Sequence, residues 1–273
     1  IFVAVASGGR MAYSPDGASW TAVADSTFGT SEIEGIAFGN NRFVAVGDDG
    51  KMAYSADGIS WTAVADSTFD QSVCIYGIAW GNNRFVAGGS YGIAYSEDGV
   101  TWTPAANRGV RATAIAFGNN RFVAGDSNRQ IAYSADGASW TVAGQRILGT
   151  YTAMVLEDEN TIEAIAYGSN RFVAVGQSGK MAYSADGVRW TAVDVSSIFD
   201  TDATSKIFAI AWGNNRFVAG GSYGRIAYSA DGASWTRVAN SAFSNNTTVY
   251  AMTYANGRFV AGSYVGRMAY CDW

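Results

Sequence analysis

The chain has 273 residues, of which 48% are hydrophobic and 14% aromatic, and it carries a formal net charge of −5. No block of basic residues is present, which argues against a nucleic-acid partner, and no apolar run reaches the roughly 18 residues of a membrane span. The sequence contains no His, which excludes Ser–His catalysis and His-ligated metals.

A short apolar segment of the type Phe-Val-Ala recurs from one terminus to the other. Its Phe falls at Phe2, Phe43, Phe85, Phe122, Phe172, Phe217 and Phe259. The spacing of about 40 residues is typical of a repeat architecture, and it predicts a single domain over residues 1–273. Because the sequence opens inside a repeat, we expect either a processed protein or a fragment of a longer one.

Each repeat contains four short strand signals separated by turn residues. In the second repeat the strands fall at residues 35–38, 43–46, 51–55 and 60–64. Asn, Asp and Gly lie between them and favour tight hairpin turns. Four antiparallel strands per repeat of about 40 residues form the blade of a propeller.

The predicted fold class is therefore all-β, a β-propeller of seven blades with up to four antiparallel strands each. Both end blades are expected to be short by one strand. A six-bladed ring with spare strands and a chain cut from a larger ring are the alternatives.

A motif Ser-x-Asp-Gly-x-[Ser/Thr/Arg]-Trp follows the third strand in six repeats. Its Trp lies at Trp20, Trp61, Trp102, Trp140, Trp190 and Trp235, and the last repeat keeps only Cys271-Asp272-Trp273. The Asp can accept backbone N–H bonds across the turn, the Gly can adopt positive φ, and the Trp can cover the hairpin.

This motif resembles the Asp-box, or bacterial neuraminidase repeat, of sialidases and many other propellers. The usual Asp-box has one residue between Asp and Gly, and here there is none. The resemblance implies that this turn lies on the face away from the binding face. The binding face is then built from the turns between the second and third strands and from the connections between repeats.

Three of the turns between the second and third strands carry a Ser-Tyr pair: Ser90 and Tyr91, Ser222 and Tyr223, and Ser263 and Tyr264. Gly88, Gly220 and Gly262 replace a β-branched residue beside them and could make room for the ring or for a ligand. Trp80 and Trp212 occupy the innermost strand of two of these repeats. Aromatic rings with hydroxyl neighbours favour sugar binding. The alternative is that the tyrosines fill the rim between blades.

The sequence accordingly predicts a non-enzymatic, multivalent lectin, secreted or on the cell surface. It would bind a glycan or glycoprotein without a cofactor or metal, and could be a homo-oligomer. The alternative is a protein-binding scaffold or assembly factor. A glycosidase of the sialidase type ranks lower, because no motif order matches its three Arg and its Tyr–Glu pair. Several equivalent pockets would favour a lectin, and one contiguous patch would favour a scaffold.

Some features depart from the repeat. Residues 144–160 form the longest insertion and are expected to add a hairpin over one face. Arg108, Arg111, Arg129 and Arg146 are not periodic and are candidates for binding an anion. Cys74 and Cys271 are expected to be free thiols.

Overall fold

A computed structural model describes residues 1–106, 109–148, 161–202, 204–264 and 266–272. Apart from one 3-10 turn at Ser222–Gly224, its regular structure is all strand. In chain order the strands are β1 (Phe2–Val5), β2 (Met11–Ser14), β3 (Thr21–Ala22), β4 (Ile33–Gly39), β5 (Arg42–Gly47), β6 (Met52–Ser55), β7 (Thr62–Ala63), β8 (Ile75–Gly81), β9 (Arg84–Gly89), β10 (Gly92–Ser96), β11 (Thr103–Pro104), β12 (Ala114–Gly118), β13 (Arg121–Gly125), β14 (Gln130–Ser134), β15 (Thr141–Arg146), β16 (Ile162–Gly168), β17 (Arg171–Gly176), β18 (Met181–Ser184), β19 (Thr191–Val193), β20 (Ile207–Gly213), β21 (Arg216–Gly221), β22 (Ile226–Ser229), β23 (Thr236–Arg237), β24 (Val249–Ala255), β25 (Arg258–Ser263) and β26 (Met268–Cys271).

These strands form seven sheets in the described part of the chain, and in every sheet the strands follow sequence order. The first sheet (β1–β3) and the last (β24–β26) have three strands, and the other five have four. The predicted fold class, an all-β propeller of seven blades with two short end blades, is confirmed. No helix in the described residues is long and apolar enough to cross a membrane.

The chain falls into two compact units. Unit 1 comprises residues 1–124 and 132–142, and unit 2 comprises residues 125–131 and 143–273. The division passes through the fourth blade, β12–β15. The single domain expected over residues 1–273 remains a prediction.

The first hairpin of each complete blade is closed by two residues in the left-handed region. In the second blade these are Asn40 and Asn41, with φ of +47° and +55°. Asn tolerates this conformation better than most residues. The turn fixes the register that follows, in which Phe38 pairs with Phe43 and Ile36 with Ala45.

The Asp-Gly turn ends the third strand in the way that its sequence predicts. In the second blade the Asp57 carboxylate accepts N–H bonds from Ile59 and Ser60, both of 2.8 Å, and a hydroxyl bond from Ser55. These bonds lower the pKa of Asp57 to about 2. The Trp61 indole donates to the carbonyl of Gly58, which has a φ of +76°. The same set of bonds recurs in all six copies of the motif.

The periodic arginines join this turn to the neighbouring blade. Arg84 donates to the carbonyl of Asp136 at 2.7 Å, and Arg171 donates to the carbonyl of Asp231 at 3.0 Å. Each guanidinium also lies over a Tyr of its own blade, as Arg84 lies 4.6 Å from the Tyr95 ring centre. Repetition of these arginines therefore reflects the scaffold.

Two further expectations, the free cysteines and the hairpin of the long insertion, have different outcomes. Cys74 and Cys271 are both free, as expected. The expected hairpin in residues 144–160 lies mostly outside the described residues. Its described start continues β15 and is held by a bond from the Ile147 N–H to the Arg129 carbonyl.

Candidate functional site

One end of each blade carries the variable side chains. At this end, called here the turn end, the first strand begins and the hairpin between the second and third strands turns. Ile207 at the start of β20, for example, pairs with Gly221 at the end of β21. All three predicted Ser-Tyr pairs lie at turn ends, but one hairpin is shorter than the other two, and the Tyr falls at a different point in each.

The three hairpins place their tyrosines in three different positions. Ser90 and Tyr91 alone separate β9 from β10. The 3-10 turn Ser222–Gly224 holds Tyr223 in the middle of a longer loop. Tyr264 is the first of four residues, 264–267, between β25 and β26. The Ser-Tyr pairs are therefore not equivalent.

The surroundings of the tyrosines differ as well. Tyr91 is 69% exposed, and the Arg111 guanidinium lies 5.6 Å from its ring centre. Tyr223 has a φ of +59° and is 39% exposed. Tyr264 is 81% exposed, and its ring centre lies 6.0 Å from that of Tyr250. The three do not form repeated copies of one pocket.

The paired serines bond locally. The Ser222 hydroxyl accepts the Lys206 N–H at 3.0 Å, and the Ser263 hydroxyl accepts the Arg267 N–H at 3.2 Å. The Ser90 hydroxyl lies 3.4 Å from the Tyr76 hydroxyl. These bonds brace the turn ends.

Trp80 and Trp212 lie near the opposite end of the first strand from the Ser-Tyr turns. Each ring packs against a Phe of its own blade, with ring centres 4.5 Å apart in both cases, and covers a glycine of the preceding first strand, Gly39 or Gly168. The structure therefore does not bring the two tryptophans together with the tyrosines.

The glycines beside the Ser-Tyr turns make room for neighbouring apolar side chains rather than for the tyrosine ring. A Cβ on Gly220 would lie 2.7 Å from Val249 and 3.2 Å from Met252. A Cβ on Gly88 would lie 2.5 Å from Ala112. The expectation that these glycines clear space for the ring or for a ligand was wrong at both positions.

In unit 2 the turn ends carry a continuous row of aromatic rings. Phe208 stacks on Tyr250 with ring centres 4.4 Å apart, and Tyr250 contacts Tyr264 at 6.0 Å. Tyr250 is 47% exposed, so the row, defined as Phe208, Tyr250 and Tyr264, is largely open to solvent. The Lys206 ammonium lies 5.7 Å from the Phe208 ring centre and extends the row by one cation.

An ion pair borders the row. The Glu163 carboxylate lies 3.6 Å from the Lys206 ammonium. Burial raises the pKa of Glu163, and the charge of Lys206 opposes that rise. The side-chain carbonyl oxygen of Gln177, Oε1, lies beside them, is buried, and accepts no hydrogen bond from a described residue. The residues beside the row therefore include an ion pair and a buried side-chain oxygen with no described hydrogen-bond donor.

The corresponding positions of the second blade, in unit 1, are acidic. Glu32, Glu34 and Asp48 place carboxylate oxygens within 4.8 Å of one another, so they are the described residues that could share a cation. Much of the Glu34 side chain is accessible to solvent. Its carboxyl group is nevertheless partly desolvated, and this desolvation is the largest cause that raises its pKa to about 7; the negative charges of Asp48 and Glu32 contribute less. Acidic groups alone do not define a metal centre.

The sequence interpretation missed the residues at the second position of the first strand. This position holds Glu34, Tyr76, Glu163, Phe208 and Tyr250 in five blades. The signal was available, because Ile precedes this position in most repeats while the position itself varies in charge and ring content.

The non-periodic arginines do not form a common anion site in the described residues. Arg111 lies over Tyr91, and Arg129 is buried with a φ of +61°. Arg108 and the side chain of Arg146 lie outside what the structure describes.

Solved structures with a similar fold include proteins of several kinds. YCF48 bound to D1 peptide has a TM-score of 0.70 and 15% identity, with 97% of this chain and 86% of that chain covered. The nidogen/laminin complex has a TM-score of 0.62 and 14% identity, with coverage of 92% and 97%. An ancestral GH74 enzyme has a TM-score of 0.61 and 14% identity, with coverage of 87% and 38%. At these identities the likeness shows the propeller fold alone.

No family model matches the sequence. No curated protein matches it either.

Proposed function

We propose that this protein is a non-enzymatic, protein-binding scaffold that recognises a peptide segment of its partner on the turn ends of unit 2. The observation that carries the proposal is the contiguous aromatic row Phe208, Tyr250 and Tyr264, in which both tyrosines are exposed and Phe208 is half-buried. Contiguous apolar surface bordered by polar groups is characteristic of protein interaction sites.

The composition of the row suits peptide recognition. Tyr combines a large apolar ring with a polar hydroxyl and loses little conformational entropy on binding, which is why it is enriched among residues that dominate binding energy. Lys206 and Glu163 supply charge at one end of the row. Rings that already stack on one another present a preorganised surface.

The geometry favours this function over a multivalent lectin. A lectin built on repeats requires several similar pockets, whereas Tyr91, Tyr223 and Tyr264 lie in three unlike settings. Two proteins of similar fold, YCF48 bound to D1 peptide and the nidogen/laminin complex, support protein binding by this architecture.

The test is to pan a phage-displayed library of linear peptides on the purified protein and to measure affinities of the enriched peptides by fluorescence anisotropy. We expect Tyr250→Ala and Tyr264→Ala to weaken binding by about tenfold or more, as for central aromatic residues of interfaces. Tyr91→Ala is the matched control, since it removes an exposed turn tyrosine of unit 1 and should leave affinity unchanged.

A glycan array is run with the same proteins. Enriched peptides whose affinity is indifferent to both row variants would overturn the proposal. Glycan binding with no peptide enrichment would return the function to the lectin interpretation.

A further inference from the structure

A polar pocket opens at the turn end of the sixth blade, β20–β23. Its volume is about 230 Å³, and it is lined by ten residues, among them Tyr223, Arg225, Arg237, Asn240, Ser241 and Asn245. None of the described residues that line it is acidic. The pocket therefore presents two cations and several neutral hydrogen-bonding groups.

The repeats show how this blade acquired its charge. Arg237 occupies the second residue of the fourth strand, where the first two blades have Ala22 and Ala63. Three residues later, Asn240 occupies the position of Asp25 and Asp66 in those blades. Relative to the first two blades, one cation has been added and one carboxylate removed, a change of two charge units.

The two arginines differ in how they are held. Arg225 forms an ion pair of 2.7 Å with Asp200, and its guanidinium lies 5.6 Å from the Tyr223 ring centre. Hydrogen bonds from the Thr204 hydroxyl and from the N–H groups of Ser205 and Thr204 lower the pKa of nearby Asp202, and the charge of Arg225 lowers it further.

Arg237 is exposed, and its side chain forms no ion pair or hydrogen bond with any residue that the structure describes. Arg225 is therefore positioned by its neighbours, and Arg237 is available to a ligand.

Tyr223 forms one wall of the pocket in a strained conformation. Its φ of +59° lies in the left-handed region. The corresponding hairpin residues of three other blades adopt the same conformation, and they are the smaller residues Gly8, Asp49 and Ser178. A bulky residue there costs on the order of 1 kcal/mol. Its hydroxyl lies 3.2 Å from the Thr204 hydroxyl, which fixes the ring against the pocket.

We propose that this pocket binds a carboxylate of the peptide partner, an inference that rests on the proposed function. The planar guanidinium of Arg237 can donate two parallel hydrogen bonds to a carboxylate, and Arg225 adds a second charge. Asn240, Ser241 and Asn245 can donate to the remaining lone pairs. The carboxylate comes from an Asp or Glu side chain or from a free C-terminus.

The first experiment uses glutarate as the probe. The Arg Nε–Hε signals are followed by ¹H–¹⁵N NMR during titration with sodium glutarate, with sodium chloride at equal ionic strength as the reference. We expect saturable shifts of Arg237 and Arg225, and loss of saturation in Arg237→Ala and Asn240→Asp. Both substitutions restore residues of the first two blades, so the fold should be kept.

Arg189→Ala is the charge-matched control. Arg189 is exposed in an Asp-Gly turn of the fifth blade, and its removal changes the net charge by the same amount as Arg237→Ala. Equal loss in both variants would show a general charge effect and would overturn the inference, as would tighter saturation by inorganic phosphate than by glutarate.

The second experiment locates the source of the carboxylate in the peptides enriched above. Replacement of Glu or Asp by its amide, or amidation of the C-terminus, should weaken binding about tenfold to the wild type and leave affinity for Arg237→Ala unchanged. If the affinity of the peptides falls in the row variants but does not depend on a carboxylate or on Arg237, the carboxylate inference is wrong and the proposed function still stands. Saturable glutarate binding without any peptide enrichment would overturn the proposed function instead.

Discussion

The glycine of the Asp-Gly turn offers a sharp test of how neighbouring blades pack. Gly58 has a φ of +76°, and a Cβ at this position would lie 2.8 Å from Val3 and 3.3 Å from Phe43. Gly257 has a similar φ of +79° in a hairpin, but a Cβ there would have no heavy atom within 4 Å. The two glycines share a conformational requirement and differ in packing.

Substitution by alanine separates these two contributions. The left-handed conformation costs alanine on the order of 1 kcal/mol in both variants. Overpacking adds about 1–3 kcal/mol in Gly58→Ala only, because Val3 and Phe43 must shift. We therefore expect the free energy of unfolding to fall by about 2–4 kcal/mol in Gly58→Ala and by about 1 kcal/mol in Gly257→Ala.

The free energies are measured by urea unfolding, followed by both tryptophan fluorescence and circular dichroism so that coincidence of the transitions can be checked. Gly257→Asn is an additional control, since Asn41 occupies the same hairpin position with a φ of +55°. Equal losses in Gly58→Ala and Gly257→Ala would refute the packing argument, because they would show that only backbone conformation matters.

Three further predictions concern single side chains. Glu34 has a pKa of about 7 when folded against an ordinary 4.5, so its contribution to stability is lost as the pH rises toward 7. Glu34→Gln should therefore stabilise the protein at about pH 8 and have little effect at about pH 4. The gain at pH 8 should be only about 1 kcal/mol, because solvent screens the exposed carboxylate. An equal effect at both pH values would contradict this prediction. Gly168→Ala should destabilise the protein through its contact with the Trp212 ring, and Trp212→Ala should relieve part of that loss; strictly additive free energies of unfolding would exclude the contact. Lys206→Met should raise the pKa of Glu163 further, as followed by carboxyl ¹³C NMR, and an unchanged titration would show that the 3.6 Å ion pair does not form in solution.

The fold could be predicted from the sequence because each repeat carries the same pattern of strand and turn residues. Residues such as Asn41, Gly58 and Trp61 act through the turn that contains them, so their roles follow from the residues next to them. Six copies of each pattern reinforce one another, and the blade count follows from counting strands.

The candidate site could be predicted only in part. Turn tyrosines were correctly expected at one end of the blades, but treating Tyr91, Tyr223 and Tyr264 as equivalent overlooked the different numbers of residues before the next strand. The aromatic row depends on contacts between Phe208 of one blade and Tyr250 of the next. The contacts of this row have no periodic signal in the sequence, because each residue involved is the exception in its own repeat.

The sixth blade illustrates why such exceptions indicate function. Asp49 and Ser178 show that small polar residues satisfy the hairpin, yet this blade holds Tyr223 there at a cost on the order of 1 kcal/mol. Ala63 and Asp66 likewise show that the fold requires neither Arg237 nor Asn240. A stable blade could have been built without all three departures, and the three line one pocket. Tyr223 is held in place by Thr204 and Arg225, whereas no contact of the described residues accounts for Arg237. The proposed binding of an anionic group would explain why the added charge lies beside the strained tyrosine.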